Sequence, residues 1–258
     1  MSVSFQRLVQ RGFVLALLFV APVRAQDGES ARVPFGVGER LEYDLKFGKL
    51  KVGVASMEVA NVEELRGHDV WHTVYQAHGG VRFLYSVDDV FESWIDRRTF
   101  NSLRFKKDQN EGRRDVQHTY EIYPDRAEYI MGTDSARASV HSPLDDGSFL
   151  YFVRTIPLVV GETYTFERYF IPDRNPVTIK VVRRDTIDVP AGRFPAIVIQ
   201  PIIKTPGIFS EKGHAEIWLS DDKNRIMLQF KSSLSFGSIN LYLTSYRPAP
   251  ATPAAQTP

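Results

Sequence analysis

The sequence predicts a mainly β fold, antiparallel in its connections, with one short helix. Three observations carry that expectation. Segments that alternate apolar with polar residues recur, as in "RLEYDLKF" (40–47), where Leu41, Tyr43, Leu45 and Phe47 oppose Arg40, Glu42, Asp44 and Lys46. These segments are rich in β-branched and aromatic residues and are bounded at short intervals by Gly, Pro, Asp or Asn. One stretch, "DDGSFLYFVRTIP" (145–157), instead spaces its apolar residues as a helix does.

In chain order, "VGVASMEV" (52–59) follows the turn "GKLK", and "DVWHTVYQA" (69–77) follows "RGH", as consecutive antiparallel strands would. The next stretch, "SVDDVFESWID" (86–96), reads two ways. Asp88, Glu92 and Asp96 stand at i, i+4 and i+8 opposite Val87, Val90, Phe91, Trp94 and Ile95, an amphipathic helix pattern that Ser86 and Asp89 would cap. The same Val, Phe, Trp and Ile residues favour a strand, and Asp96-Arg97-Arg98-Thr99 suits a hairpin connection. "DVQHTYEIYP" (115–124) and "RAEYIM" (126–131) are strands joined at Pro124-Asp125.

The second half begins again with "GETYTFERYF" (161–170), "VTIKVVRRDTIDV" (177–189), "PAIVIQPII" (195–203), "HAEIWLS" (214–220), "RIMLQFKSS" (225–233) and "GSINLYLTSY" (237–246). "VPAGRF" (189–194) and "SDDKNR" (220–225) are turns between them. Gly38-Glu39 and Gly161-Glu162, each ahead of a strand, hint at two similar halves. In the helical stretch, Asp145 or Asp146 is the N-cap, Phe149, Phe152, Val153 and Ile156 form the apolar stripe, and Pro157 is the stop, predicting a helix over 146–156 on the concave side or end of the sheet.

The ends read differently. Arg7 and Arg11, the apolar "GFVLALLFVA" (12–21) and the small residues of "VRA" (23–25) form a signal peptide over 1–25, too short in its apolar run to serve as a membrane anchor. Residues 26–33 are then a flexible mature N-terminus, 34–247 a single β-rich domain, and 248–258 a Pro/Ala/Thr-rich tail without an apolar face. The leader holds Arg7, Arg11 and Arg24 and no acid, so its removal takes the formal charge from +1 to −2. A near-neutral mature chain argues against nucleic acid or an anionic membrane surface as partner. Cysteine is absent, which excludes thiol nucleophiles, thiolate metal sites and an acylated N-terminal cysteine.

Catalytic motifs of high specificity are absent: the sequence has no G-x-S-x-G, H-E-x-x-H, P-loop, dinucleotide-binding or EF-hand pattern. His68, His72 and His78 share strand parity, but at about 3.3 Å per residue the first two stand roughly 13 Å apart, too far for one zinc ion. No metal and no cofactor is expected. Asp89 and Glu92 are the acids a glycosidase would use, although on a strand Asp88 and Glu92 share one face and Asp89 the other. Trp71, Trp94 and Trp218 suit a sugar-stacking platform or, more commonly, a core. Asp89, Glu92, Trp94 and Trp218 are therefore the candidate ligand-binding residues, and no catalytic residue is assigned.

Five ordered blocks carry a family resemblance: "GERLEYDLKFGKLKVGVASMEV", "LYSVDDVFESWIDRRTF", "FLYFVRTIPLVVGETY", "DVPAGRFPAIVIQP" and "IWLSDDKNRIMLQFKSSLSFGSINLYL". Over roughly 36–246 the chain resembles the exported bacterial proteins known as domain of unknown function 3108. The resemblance implies a curved antiparallel sheet or incomplete β-barrel with little helix, and it implies no catalytic residues. It also decides "SVDDVFESWID" as a strand from about Val87, preceded by a helical turn in "VRFLYS" (81–86) and returning through "RRTFNSLRF" (97–105). The function expected is that of an exported envelope protein, periplasmic in a diderm bacterium and extracellular otherwise. Its leading role is a non-enzymatic carrier of a hydrophobic or amphiphilic ligand such as a lipid. The alternatives are an enzyme acting on envelope polysaccharide through its acids, and an assembly factor that offers a sheet edge or the helix to an envelope protein.

Overall fold

The alternating segments form fourteen strands of one antiparallel sheet in a computed structural model that describes residues 33–81, 85–111, 114–204, 214–232 and 238–250. The expected leader, nearly all of 26–33 and the tail beyond 250 lie outside the described residues. The first eight strands are β1 (Arg40–Phe47), β2 (Leu50–Leu65), β3 (His68–Val81), β4 (Tyr85–Asp96), β5 (Ser102–Glu111), β6 (Arg114–Tyr123), β7 (Glu128–Met131) and β8 (Arg137–Ala138). A helix, α1 (Asp146–Phe152), precedes β9 (Thr163–Phe166), β10 (Val177–Val189), β11 (Gly192–Ile202), β12 (Glu216–Ser220), β13 (Met227–Lys231) and β14 (Ile239–Arg247).

The spatial order is β8-β7-β6-β5-β4-β3-β2-β1-β14-β13-β12-β11-β10-β9. Two arms thus meet where β1 pairs with β14, and β8 and β9 remain unpaired at the outer edges, so the sheet does not close. Bulges interrupt the ladders at Val59/Asn61, Trp94/Ile95, Val181/Arg183 and Trp218/Leu219, each adding local bend and twist to the strand that carries it. This is the incomplete, barrel-like β architecture expected.

The face that carries α1 is the inner one. In the second arm it includes the buried Ile179, Val181, Ile199, Ile217, Phe230 and Leu241, with Tyr164 and Phe166 of β9 half-buried at the edge. Each buried side chain contributes about 1.5–3 kcal/mol by leaving water. Phe35 closes one end of the core, with ring centroids 5.1 Å from Trp71 and 5.0 Å from Tyr151.

Asp145 caps α1 as the sequence indicates, but the helix stops at Phe152 rather than running to 156. The chain tightens there: Arg154 N–H donates to the Tyr151 carbonyl, and Thr155 N–H and Oγ both donate to that of Phe152, leaving no α-helical turn. Arg154 leaves the helix to form a buried two-pronged ion pair with Glu39, at 2.6 and 3.0 Å, and donates to the carbonyls of Pro34 and Asn224. These bonds satisfy the guanidinium and tie the helix end to the start of β1.

A second correction concerns 81–86. Val81 pairs with Tyr85 and Gly80 with Ser86, so the ladder continues where a helical turn was expected, while 82–84 lie outside the described residues. The strand at 86–96 is as the family resemblance implies. β5 runs well past Phe105, through the polar "KKDQNE", because Lys106, Asp108 and Asn110 face solvent and Lys107 and Gln109 alternate inward.

Candidate functional site

The inner face of the first arm differs from that of the second. Tyr75 on β3, Phe91 on β4, Lys107 on β5 and Tyr120 on β6 all point toward the α1 side by strand alternation, yet all stay half-buried. The rings form a continuous surface: Tyr75 to Phe91 is 5.7 Å between centroids, Phe91 to Phe105 6.1 Å, and Phe105 to Tyr120 5.9 Å. Phe170, which follows β9, ends the row edge-on, 5.1 Å from Tyr120 and 5.3 Å from Tyr129.

A charged group stands on this surface. Lys107 Nζ lies 5.3 Å from the centre of the Phe91 ring and 3.9 Å from Asp146 Oδ2 on α1. The Tyr169 hydroxyl donates to Asp146 Oδ1 at 2.6 Å and accepts from Arg174 at 2.7 Å. Burial, reinforced by the Asp146 charge, holds the Tyr169 phenol well above its ordinary pKa, so it remains a donor at neutral pH. Burial likewise raises Tyr120. Half-open aromatic rings beside an ammonium offer apolar faces next to a cation that Asp146 partly neutralises.

Beneath it lies a buried polar cluster. Asp145 Oδ1 accepts from Gly147 N–H and Ser148 N–H, both at 2.8 Å, and from Ser93 Oγ at 2.6 Å, while Ser102 Oγ donates to Ser148 Oγ at 2.8 Å. Burial pushes the Asp145 carboxyl up to about 6, against the lowering effect of these hydrogen bonds. Asp145 Oδ2 and the Tyr151 hydroxyl are buried without a hydrogen-bond partner among the described residues. The cluster's role is to cap and seat α1.

The candidate residues read from the sequence separate. Asp89 is buried on the inner face, where it accepts the Asn110 N–H at 3.1 Å. Glu92 is on the outer face, 2.8 Å from His72 Nε2 and 3.8 Å from Lys106 Nζ. Trp94 is buried beside it, stacked on His72 at 4.4 Å, covered by Arg104 and Lys106, with its N–H donated to Glu63. Trp218 lies in the other arm, under Arg183 and Lys231, with its N–H donated to Asp185 at 2.9 Å.

The acids at i, i+4 and i+8 find their explanation on the neighbouring strand. His78 Nδ1 is 3.3 Å from Asp88, His72 Nε2 2.8 Å from Glu92, and His68 Nδ1 2.6 Å from Asp96. Three acids on β4 thus face three histidines on β3, and each histidine is occupied by a carboxylate. Asp96 is buried, which opposes ionisation, but the N–H groups of Thr99 and Arg98 and the His68 ring outweigh this and lower its pKa.

The aromatic surface itself escaped the sequence reading. Tyr75, Phe91 and Tyr120 sit on alternating strands like ordinary core residues, and only pairing register brings them together with Lys107.

The family model of the proteins of unknown function DUF3108 matches residues 42–244. Among solved structures, the chain is similar to the β-barrel-like protein of domain of unknown function DUF1849 from Brucella abortus, at 10% identity and a TM-score of 0.54, covering 83% of this chain and 99% of that one. That likeness shows a shared fold. Looser matches are the hypothetical protein CT021 from Chlamydia trachomatis, at 8% identity, a TM-score of 0.39 and coverage of 88% and 96%, and a candidate lipoprotein from Parabacteroides distasonis, at 12%, 0.37, 83% and 98%. No curated protein matches the chain.

Proposed function

The chain belongs to the DUF3108 family, and from that premise we propose that it is an exported, non-enzymatic carrier of an amphiphilic ligand held against Tyr75, Phe91 and Tyr120. The leader expected from the sequence at 1–25 supports export. The observation that carries the ligand reading is that these inner-face aromatics stay half-open beside Lys107, whereas the strands β10 to β13 of the other arm bury Ile179, Val181, Ile199, Ile217 and Phe230 on the same face. A solid core would leave no such surface.

The polysaccharide-enzyme reading loses its geometric support. Asp89 and Glu92 stand on opposite faces of β4 and cannot flank one glycosidic bond, and Glu92 is engaged by His72 and Lys106. The assembly reading keeps only the sheet edges β8 and β9, because α1 is buried through Gly147, Ser148, Phe149, Tyr151 and Phe152.

A fluorescence titration with dansyl-labelled undecanoic acid tests the proposal. Saturable binding that weakens about tenfold in Phe91→Ala and in Tyr120→Ala, with both variants folded, is the expected result, each ring being worth about 1.5 kcal/mol of contact. Absence of saturable binding by the full chain would refute it.

A further inference from the structure

We infer that residues 36–123 and 159–247 are two copies of one six-stranded unit, and that the seam where the second copy stops short of the first is the entrance to the aromatic surface. This rests on the carrier reading for the identity of the site, but the duplication stands on geometry alone.

The two halves agree in backbone detail. Val37-Gly38-Glu39 and Val160-Gly161-Glu162 open them, with Gly38 at φ 85° and Gly161 at φ 93°, a region open to glycine and strained for other residues. Gly38 N–H donates to the Val59 carbonyl and Val59 N–H to that of Glu39; Gly161 N–H donates to the Val181 carbonyl and Val181 N–H to that of Glu162. Directly after Val59 and after Val181 comes a bulge. Two strands later each copy places a tryptophan opposite the first residue past that bulge: Asn61, His72 and Trp94 align across one copy, Arg183, Val198 and Trp218 across the other.

Each indole donates to the carboxylate two residues beyond Asn61 or Arg183, namely Glu63 or Asp185. Each tryptophan is followed by a second bulge and covered by the lysine of the next strand, Lys106 or Lys231. The stretches "WIDRRTFNSLRF" and "WLSDDKNRIMLQF" keep Trp, Leu, Phe in the same order. Chance agreement in one turn is common; agreement in turn, two bulges, indole partner and covering lysine is not.

Matching strands makes β1 to β6 correspond to β9 to β14. The sheet then reads as copy one joined to copy two through β1 and β14, the latter being the counterpart of β6. Repeating that junction would pair β9 with β6 and close a ring. Instead β6 takes β7 on its edge, and the gap is spanned by 139–145 and 167–171.

Among the described residues this second seam has one β-bridge, Leu144 with Tyr169, and no ladder; beyond it Arg168 donates to the carbonyls of Ser142 and Phe100 and to Asn101 Oδ1. Leu144 N–H donates to the Arg168 carbonyl at 2.5 Å, Phe170 N–H to that of Leu144 at 3.0 Å, and Ser139 Oγ to that of Phe170 at 2.7 Å. The first seam is an eight-residue ladder. Phe170, the ring that ends the aromatic row, sits in the second seam, so parting it uncovers Tyr120 and the surface behind it.

The chain has no cysteine, so a staple is clean. In the full-length Ser139→Cys/Ile171→Cys variant, joined by a short bifunctional thiol reagent, association of dansyl-labelled undecanoic acid is expected to slow about tenfold or more relative to the same variant with its thiols blocked singly. Hydrogen exchange on the unmodified chain is expected to label the Leu144 and Phe170 amides well before those of β1 and β14. Equal association rates with and without the staple, or equal protection of the two seams, would overturn the gate while leaving the carrier reading intact. No binding in either form would overturn both.

Discussion

The two halves are built alike but lined differently. By the strand correspondence above, Tyr75, Phe91, Lys107 and Tyr120 of the first half match Pro201, Ala215, Ser232 and Leu241 of the second. The first set is half-buried and the second buried. Ser93, which holds Asp145 and thereby α1, matches the aliphatic Ile217. One scaffold therefore serves two ends: at these matched positions the second half is sealed core, and the first has rings and an ammonium in place of buried residues, with the capped helix seated on it.

The largest test of that comparison is at the paired opening motifs. Glu39 is buried against Arg154, whereas its counterpart Glu162 is exposed. Glu39→Ala should lower unfolding stability by about 3–5 kcal/mol, because it strands a buried guanidinium. Glu162→Ala should change it by less than about 0.5 kcal/mol. Denaturant unfolding of both variants measures the contrast, and comparable losses would break it.

The largest pH effect should come from the helix cap that Ser93 of the first half holds. The Asp145 carboxyl is raised from 3.8 to about 6 in the fold, so its ionised form is destabilising above pH about 6, and the penalty is relieved as pH falls toward 3.8. Relative to Asp145→Asn, which keeps the capping oxygen, the native chain should gain up to about 3 kcal/mol across that window. Asp96, whose pKa is lowered, works with the opposite sign and only below the ordinary carboxylate range. Denaturation midpoints of the two chains at several pH values separate these effects; parallel curves would show that Asp145 is not the titrating group.

The smallest effect tests the likeness rather than the difference. Trp94→Phe and Trp218→Phe should each cost about 1–2 kcal/mol, since each leaves one carboxylate without its indole donor and one lysine over a smaller ring. Thermal unfolding that gives one variant a large loss and the other none would deny the two sites a common origin.

Much of the fold was legible because strand alternation is a local signal. "RLEYDLKF" announces its inner and outer residues without help from any neighbour, and the Asp145 cap lies beside the helix it starts. The end of that helix was not legible, because it is set by Arg154 reaching Glu39 across 115 residues of chain. "SVDDVFESWID" was ambiguous for the same reason: its acids are spaced to suit a helix face, and only the register with β3 shows them meeting His68, His72 and His78. The aromatic surface was least legible of all. Its members are far apart in sequence, and the property that marks them, partial exposure on an inner face, belongs to the packed sheet and to no single segment.

The most direct test of the carrier account is to fill the surface with a photoactivatable fatty acid, irradiate the full chain, and map the adducts by mass spectrometry. The account predicts adducts concentrated on Tyr75, Phe91 and Tyr120, competed by unlabelled fatty acid. Adducts confined to the strands β10 to β14, or labelling that unlabelled fatty acid does not reduce, would contradict it.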